Sequence, residues 1–281
     1  MPALSPPVRR ALRDGLVVAG LLFFAYLFLV VAPAQGTVGF DAFAYWNVDP
    51  TDPYATGVGG LGAFNYAPPI AWLFAPFGAL LWWQFLWLWL AILVGTVIWL
   101  GRWSVRVLWI LALPPVAIEL YHGNVNLLIA AAIVLGFRHP WTWSFIALTK
   151  VTPMVGLTWF AVRREWRPLG IALGVTAAIV AVSFALDPEV WREWLAFLTS
   201  TPEGGSVGQF QIAIPLLIRL PLAVVLVAWG GLTDRPWTVP VGATLALPIL
   251  WSAGFAICAA LLTPSLRPSA LGERQGSAVS P

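Results

Sequence analysis

The stretch GLVVAGLLFFAYLFLVV at residues 15–31 decides the fold class, because it contains neither a charged residue nor a proline. A helix of this length crosses the roughly 30 Å hydrocarbon core of a bilayer. Arg9, Arg10 and Arg13 precede it, and positive charge at that point predicts a cytoplasmic N-terminus. Residues 32–34 read APA and resemble a signal-peptidase site, but the apolar run is longer than a signal core and further runs follow. We therefore expect an uncleaved first span.

The composition extends this conclusion to the whole chain. Of its 281 residues, 60% are hydrophobic and 10% are charged, against roughly 25% charged residues in soluble domains. We predict one membrane domain over 1–264 and a disordered tail over 265–281. The apolar runs are too long for strands and lack period-two alternation, which favours an all-α bundle of about nine transmembrane or re-entrant helices. The runs are 15–31, 70–81, 85–100, 107–120, 125–137, 143–162, 169–186, 212–232 and 239–262.

A second cluster of positive charge sets the predicted topology. Arg163, Arg164 and Arg167 are expected in the cytoplasm with the N-terminus, and six apolar runs separate the two clusters. This even count places two long loops, 34–69 and 187–211, on the outer face of a cell membrane.

Two features fit this count less well. Arg102 and Arg106 fall on the outer face, against the positive-inside rule, and His122 falls inside. Either a short run fails to cross, or these arginines are held outside for a purpose.

Several function classes lose support at this point. The 18 tryptophans cluster near the ends of runs, as an interfacial belt does, and no basic stripe on a soluble surface suggests nucleic-acid binding. The single cysteine, Cys258, excludes an internal disulfide. The chain carries no P-loop, zincin motif or nucleophile elbow.

The first outer loop concentrates the acids of the N-terminal half. Asp41 follows the first span closely, and a carboxylate near the lipid boundary suits a general base, although a helix cap is an equal alternative. Asp49 and Asp52 each precede a proline, which is typical of turns. A divalent-cation site built from these acids is conceivable, but their spacing matches no specific cation-binding loop. We expect no obligatory cofactor.

Lys150 is the only lysine, and it falls inside the run 143–162. Such a cation is expected to bind a phosphate or carboxylate, the alternatives being snorkelling or pairing with Glu119. Arg219 is a second candidate anion-binder for the same reason. The polar residues His122, Asn124 and Asn126 suit hydroxyl binding or interhelical hydrogen bonding equally.

Five short segments, in their order along the chain, resemble glycosyltransferase family 87, a group of multi-spanning enzymes of the GT-C superfamily that use polyprenyl-phosphate mannose. Asn124 stands where the family commonly has glutamine, and the chain is shorter than most members. The segments are FDAFAY at 40–45, DPY at 52–54, FNYAPP at 64–69, GNVN at 123–126 and TKVTP at 149–153.

The resemblance implies a hexosyltransferase that moves a hexose, most plausibly mannose, with inversion from a polyprenyl-phosphate donor to an outer-face glycolipid or cell-envelope acceptor. It assigns the catalytic base to Asp41. It assigns contact with the donor phosphate to Lys150. Arg102, Arg106 or Arg219 could help Lys150 to stabilise the departing phosphate. The rings of Tyr45, Trp46, Tyr54 and Tyr66 could stack on sugar faces, although most of them could equally be interface anchors. His122, Asn124 and Asn126 are further candidates for sugar or acceptor contacts. The alternatives are a lipid transporter or scramblase, or an inactive short family member that acts as an assembly partner.

Overall fold

The computed structural model describes residues 5–57, 60–200 and 211–266. Over these residues the protein is an all-α membrane bundle, as predicted, and the only β feature is a single bridge between Gln211 and Trp251. The α-helices are α1 (Pro6–Gln35, with a π-helical turn at Leu27–Val31), α2 (Phe40–Trp46), α3 (Pro68–Phe74), α4 (Trp82–Gly101), α5 (Arg106–Leu111), α6 (Pro114–His122), α7 (Asn126–Gly136), α8 (Trp143–Thr149), α9 (Thr158–Val162), α10 (Trp166–Leu186), α11 (Pro188–Ser200), α12 (Leu216–Leu232) and α13 (Thr238–Leu245). Short 3-10 segments lie at Ala75–Ala79, Pro140–Thr142, Thr152–Leu157, Ser252–Leu262 and Pro264–Leu266.

Three helices in the described part, α1, α4 and α10, are long and apolar enough to cross a bilayer. The pair α6 and α7 also qualifies when taken together, but it bends by 114° at its break. Large apolar side chains on α1 stay exposed, for example Leu16 at 72% and Leu29 at 75%. An apolar surface of this kind suits lipid rather than water.

Contacts along α1 define two ends of the bundle, and the helices run between these ends. Near its start, the Arg13 guanidinium lies 5.6 Å from the Trp109 ring. Midway, Gly20 packs directly on the backbone of Ala112. Just beyond its end, the hydroxyls of Thr37 and Tyr121 lie 2.6 Å apart. Thus α5 and α6 run parallel to α1.

The predicted run 70–81 does not pass between these ends. It forms α3 and a short 3-10 segment, and both of its flanks stay beside the first loop. The Ala67 N–H donates to the Leu148 carbonyl at 2.9 Å, and Trp46 Nε1 donates to the Leu80 carbonyl at 2.9 Å. Proline at positions 68, 69 and 76 and glycine at 78 keep the helical pieces short. Helix α4 then carries the chain to the opposite end.

This path places Arg102 and Arg106 at the opposite end from the one that the crossing count predicted. Both follow α4 and lie at the end where Arg13 meets Trp109. They therefore share an end with the N-terminal arginines, which is the arrangement that the positive-inside rule favours.

The run 143–162 is a hairpin rather than a single span. Helix α8 ends at Thr149, Lys150 is extended (φ −144°, ψ 101°), and the chain returns through Thr152–Leu157 and α9. Pro153 lacks the N–H that a continuing helix would need. Lys150 therefore lies at the tip of the hairpin, beside the first loop.

The two ends differ in charge, and we name them accordingly. The arginine end also includes Arg163, whose Nε and Nη1 bind Glu165 at 2.7 Å and Asp234 at 3.0 Å. The aspartate end includes the first loop and α11, which meet where Tyr54 and Phe197 pack with ring centroids 5.4 Å apart. The arginine end carries Arg9, Arg10, Arg13, Arg102, Arg106, Arg138, Arg163, Arg164, Arg167 and Arg235, against the acids Asp14, Glu165 and Asp234. The aspartate end carries Asp41, Asp49, Asp52, Asp187, Glu189 and Glu193, against Arg192.

Candidate active site

Asp41 lies in the first turn of α2 at the aspartate end, with its side chain half-buried. The helix begins after Gly39, which adopts a left-handed conformation (φ 80°). The Gly39 N–H donates to the Tyr121 carbonyl at 2.8 Å, so that α2 is held against the end of α6. Asp41 is thereby fixed close to the polar residues that follow α6.

Asn124 joins Asp41 to those residues. Its Nδ2 donates to Asp41 Oδ2 at 2.8 Å, while its Oδ1 accepts the Val125 N–H at 2.7 Å. The preceding Gly123 ends α6 in a left-handed conformation (φ 72°), and the chain turns there into α7. Trp89 Nε1 donates to the Gly123 carbonyl at 2.6 Å and ties this turn to α4.

Lys150 completes the connection from the tip of its hairpin. Its Nζ donates to Asn126 Oδ1 at 2.8 Å and to Asn124 Oδ1 at 3.3 Å. The carboxylate of Asp41 and the ammonium of Lys150 are therefore separated by one amide group. The structure brings Asp41, Asn124, Asn126 and Lys150 together from three separate parts of the chain.

Glu119 is a further member of this cluster that the sequence reasoning considered only as a pairing partner for Lys150. It is fully buried in α6. Its Oε2 accepts from Asn126 Nδ2 at 2.9 Å, and its Oε1 accepts the Leu127 N–H at 3.2 Å. The available signal was a carboxylate inside an otherwise apolar run, which is costly in a membrane without a partner.

The turn at Gly123 lies deeper in the bundle than the aromatic side chains at the surface of the aspartate end. Phe43 and Trp46 of the first loop pack on Trp82, with ring centroids 5.5 Å away in both pairs. Trp89, which holds Gly123, lies seven residues further along α4, or about 10 Å at 1.5 Å per residue. The turn that carries Asn124 is thus about 10 Å deeper along α4 than Trp82, and Asp41, Asn124 and Lys150 are half-buried beside it.

The predicted sugar-binding aromatics belong mainly to the packing beneath the first loop. The hydroxyls of Tyr45 and Tyr66 lie 2.9 Å apart, and the Tyr54 hydroxyl donates to the Tyr66 carbonyl at 2.8 Å. Tyr45 is 3% exposed and Tyr66 7% exposed, and burial raises the pKa of both phenols. Trp46 is half-buried and bonded to the Leu80 carbonyl. These four side chains hold the loop together, which leaves little of the three tyrosines open to a substrate.

The predicted phosphate-binding arginines lie away from this cluster. Arg102 and Arg106 follow α4, a helix of about 30 Å, and lie at the arginine end. Arg219 is 4% exposed, and its guanidinium donates to four backbone carbonyls at 2.6 to 3.2 Å. Those contacts join α12 to the chain that follows α13, so the guanidinium has a structural role.

His122 lies next to the cluster, half-buried, with its ring near those of Phe40 and Tyr121 at 6.3 and 5.4 Å. It therefore lies at the aspartate end with Asp41, not at the opposite side that the crossing count predicted. In the described residues, no three His, Cys, Asp or Glu side chains form a group suited to a metal ion.

Fold and site together define an integral membrane protein whose apolar bundle encloses a carboxylate, amide and ammonium cluster near one end. The model of glycosyltransferase family 87 matches residues 64–272, which is most of the chain, and the protein belongs to that family of membrane glycosyltransferases. The predicted family is thereby confirmed, and three of the five segments, 64–69, 123–126 and 149–153, lie inside the matched region. No curated protein and no solved structure matches the chain significantly. The family match includes Lys150 and both asparagines but begins after Asp41, whose place in the cluster rests on its contacts.

Proposed function

We propose that this protein transfers a hexose, with mannose as the first candidate, from a polyprenyl-phosphate donor to an acceptor hydroxyl with inversion at the anomeric carbon. The observation that carries the proposal is the single amide of Asn124 between the Asp41 carboxylate and the Lys150 ammonium. A base and a phosphate-binding cation at this spacing suit the two sides of one glycosyl transfer.

In the proposed reaction, the acceptor oxygen attacks the anomeric carbon while the bond from that carbon to the donor phosphate breaks. Asp41 takes the proton of the acceptor hydroxyl, and the electron pair of the broken bond leaves with the lipid phosphate. Lys150 stabilises the charge on that phosphate. Phosphate is already a competent leaving group, so the reaction requires neither a metal nor a nucleotide.

The depth and polarity of the site support a lipid-linked donor. The turn that carries Asn124 lies about 10 Å deeper along α4 than Trp82, and the half-buried Asp41 and Lys150 lie beside it within a bundle whose outer faces are apolar. The phosphate of a membrane lipid can approach from the bilayer, whereas a soluble nucleotide sugar would have to enter an apolar environment. With the arginine end in the cytoplasm, the site and its glycolipid or cell-envelope acceptor belong to the outer face of the cell membrane.

The test is the Asp41→Asn variant in purified, lipid-reconstituted protein supplied with radiolabelled polyprenyl-phosphate mannose and an envelope extract as acceptor. Asn keeps the size of the side chain and removes its basicity, so we expect transfer to fall by at least about 100-fold. Asp49→Asn is the matched control. The Asp49 carboxylate is engaged by the N–H and hydroxyl of Thr51 at 2.8 and 2.6 Å, contacts that lower its pKa, and this variant should retain normal turnover.

Two outcomes would contradict the proposal. Full turnover by Asp41→Asn would remove the carboxylate from the mechanism. Movement of the donor lipid across the proteoliposome membrane, without sugar transfer by the wild-type protein, would favour a scramblase. Separation of these results requires measuring donor distribution and product formation in the same vesicles.

A further inference from the structure

The cluster contains a second carboxylate that the proposed reaction does not use. Glu119 is fully buried, and it reaches Lys150 only through the amide of Asn126. Lys150 thus lies between two amide oxygens, and the NH2 group of each amide faces a carboxylate. The arrangement reads carboxylate, amide, ammonium, amide, carboxylate.

This order fixes the orientation of Asn126. An amide can present its oxygen to an ammonium only if its NH2 group points away, and here the NH2 group meets Glu119 Oε2 at 2.9 Å. Because Glu119 accepts on both oxygens, from Asn126 and from the Leu127 N–H, it leaves Asn126 one favourable orientation. An ionised carboxylate also strengthens this hydrogen bond relative to a neutral acceptor.

We infer that Glu119 is a positioning residue that acts through Asn126 to hold the Lys150 ammonium ready for an anionic phosphate. The inference rests on the proposed function for the identity of that anion. The coupling of Glu119 to Lys150, which is the structural part of the inference, holds whether or not the protein catalyses that reaction.

The simpler role for Glu119 is that of a helix cap. The Leu127 N–H belongs to the first turn of α7 and has no partner within the helix, so Glu119 satisfies it from α6. A cap requires only an acceptor oxygen, which glutamine also provides. Positioning of Asn126 requires acceptors on both ends of the side chain, which glutamine lacks.

The first experiment is therefore Glu119→Gln. If the glutamine oxygen caps Leu127, its NH2 group faces the NH2 group of Asn126, which must then turn and present NH2 to Lys150. We expect the donor KM to rise about tenfold, as loss of one charge-assisted hydrogen bond predicts, with a smaller change in kcat. The double variant Glu119→Gln with Asn126→Asp restores the order, because a carboxylate at position 126 accepts both from the new amide at position 119 and from Lys150. We expect it to recover most of the lost donor affinity.

A second measurement does not depend on activity. Lys150 is the only lysine in the chain, so acylation by acetic anhydride, followed at its peptide by mass spectrometry, reports on this amine alone. A neighbouring negative charge favours the unreactive ammonium form. Glu119→Gln should therefore be acylated about tenfold faster at a fixed pH, which corresponds to one pH unit in the proton affinity of the amine. The double variant should return to the wild-type rate.

The outcomes separate the two claims. If folded Glu119→Gln keeps the wild-type donor KM and the wild-type acylation rate, Glu119 is only a cap and the inference is overturned. A raised donor KM with an unchanged acylation rate would also overturn it. If Glu119→Gln does not fold, Asn126→Ala takes its place, and equal acylation in that variant and in the double variant would overturn the inference. If the wild-type protein transfers no sugar, the proposed function fails while the acylation rates still decide the coupling.

Discussion

Replacement of Gly123 by alanine tests whether the turn between α6 and α7 sets the geometry of the site. Gly123 has φ 72°, and an added Cβ would lie 2.8 Å from the Cβ of Ala42 and 3.3 Å from Trp89 Cδ1. A left-handed conformation costs a residue with a Cβ about 1 to 2 kcal/mol. The close contact adds about 1 to 3 kcal/mol of overpacking. We therefore expect the variant to lose roughly 2 to 5 kcal/mol of stability, as the sum of those terms.

The effect on activity follows from the neighbour that must move. Ala42 adjoins Asp41 in α2, so relief of the contact displaces the carboxylate from Asn124. A misplacement near 1 Å can lower a rate by about 100-fold. Gly36→Ala is the matched control, because Gly36 also has a left-handed conformation (φ 62°) but no atom lies within 4 Å of its added Cβ. It should lose only about 1 to 2 kcal/mol and keep its turnover.

The assay compares the two variants in lipid nanodiscs, with tryptophan fluorescence for the unfolding midpoint and labelled donor for transfer. We expect Gly123→Ala to unfold at a lower temperature than Gly36→Ala and to lose activity at temperatures where both are folded. Equal activity in the two folded variants would refute the reasoning, because the turn would then affect stability without positioning Asp41.

Two further predictions separate structural from catalytic roles. Arg219→Met should cost at least about 1 to 3 kcal/mol in stability, because the backbone carbonyls that the guanidinium satisfies lose their donor. Arg102→Gln should change neither stability nor donor KM. A donor KM raised by Arg102→Gln would contradict its distance from the cluster. Tyr45→Phe should cost about 1 to 3 kcal/mol in stability because the Tyr66 hydroxyl loses its partner. The variant with both tyrosines changed to Phe should cost less than the sum of the single changes, as measured by denaturation midpoints. A raised donor KM in Tyr45→Phe would indicate sugar contact instead.

The class of fold followed from composition, since a chain with 60% hydrophobic residues has few alternatives to a membrane bundle. The acid, the lysine and the two asparagines could also be singled out, because polar side chains are costly inside apolar runs. The depth and path of each run could not be read in this way. Hydropathy measures how apolar a run is, and it gives the same signal for a helix that crosses, a pair of short helices and a hairpin.

Glu119 illustrates a second limit. Its carboxylate was visible as a candidate partner of Lys150, but no sequence pattern predicts the orientation of the Asn126 amide that lies between them. Whether an acid pairs with a cation directly or through an amide depends on distances of a few ångströms. The packing of α6, α7 and the hairpin that carries Lys150 determines these distances.

Three departures from simple crossing explain why Asp41 and Lys150 come together. The run 70–81 stays at the aspartate end, α6 and α7 bend by 114° at Gly123, and the chain reverses at Lys150. If 70–81 had crossed, the turn at Gly123 would lie at the opposite end from Asp41. Prolines precede and interrupt the first of these features, Pro153 follows the third, and a left-handed glycine forms the second. The residues that interrupt the helices therefore determine the site as much as the polar residues do, and this is why a change at Gly123, which bears no side chain, should affect the rate.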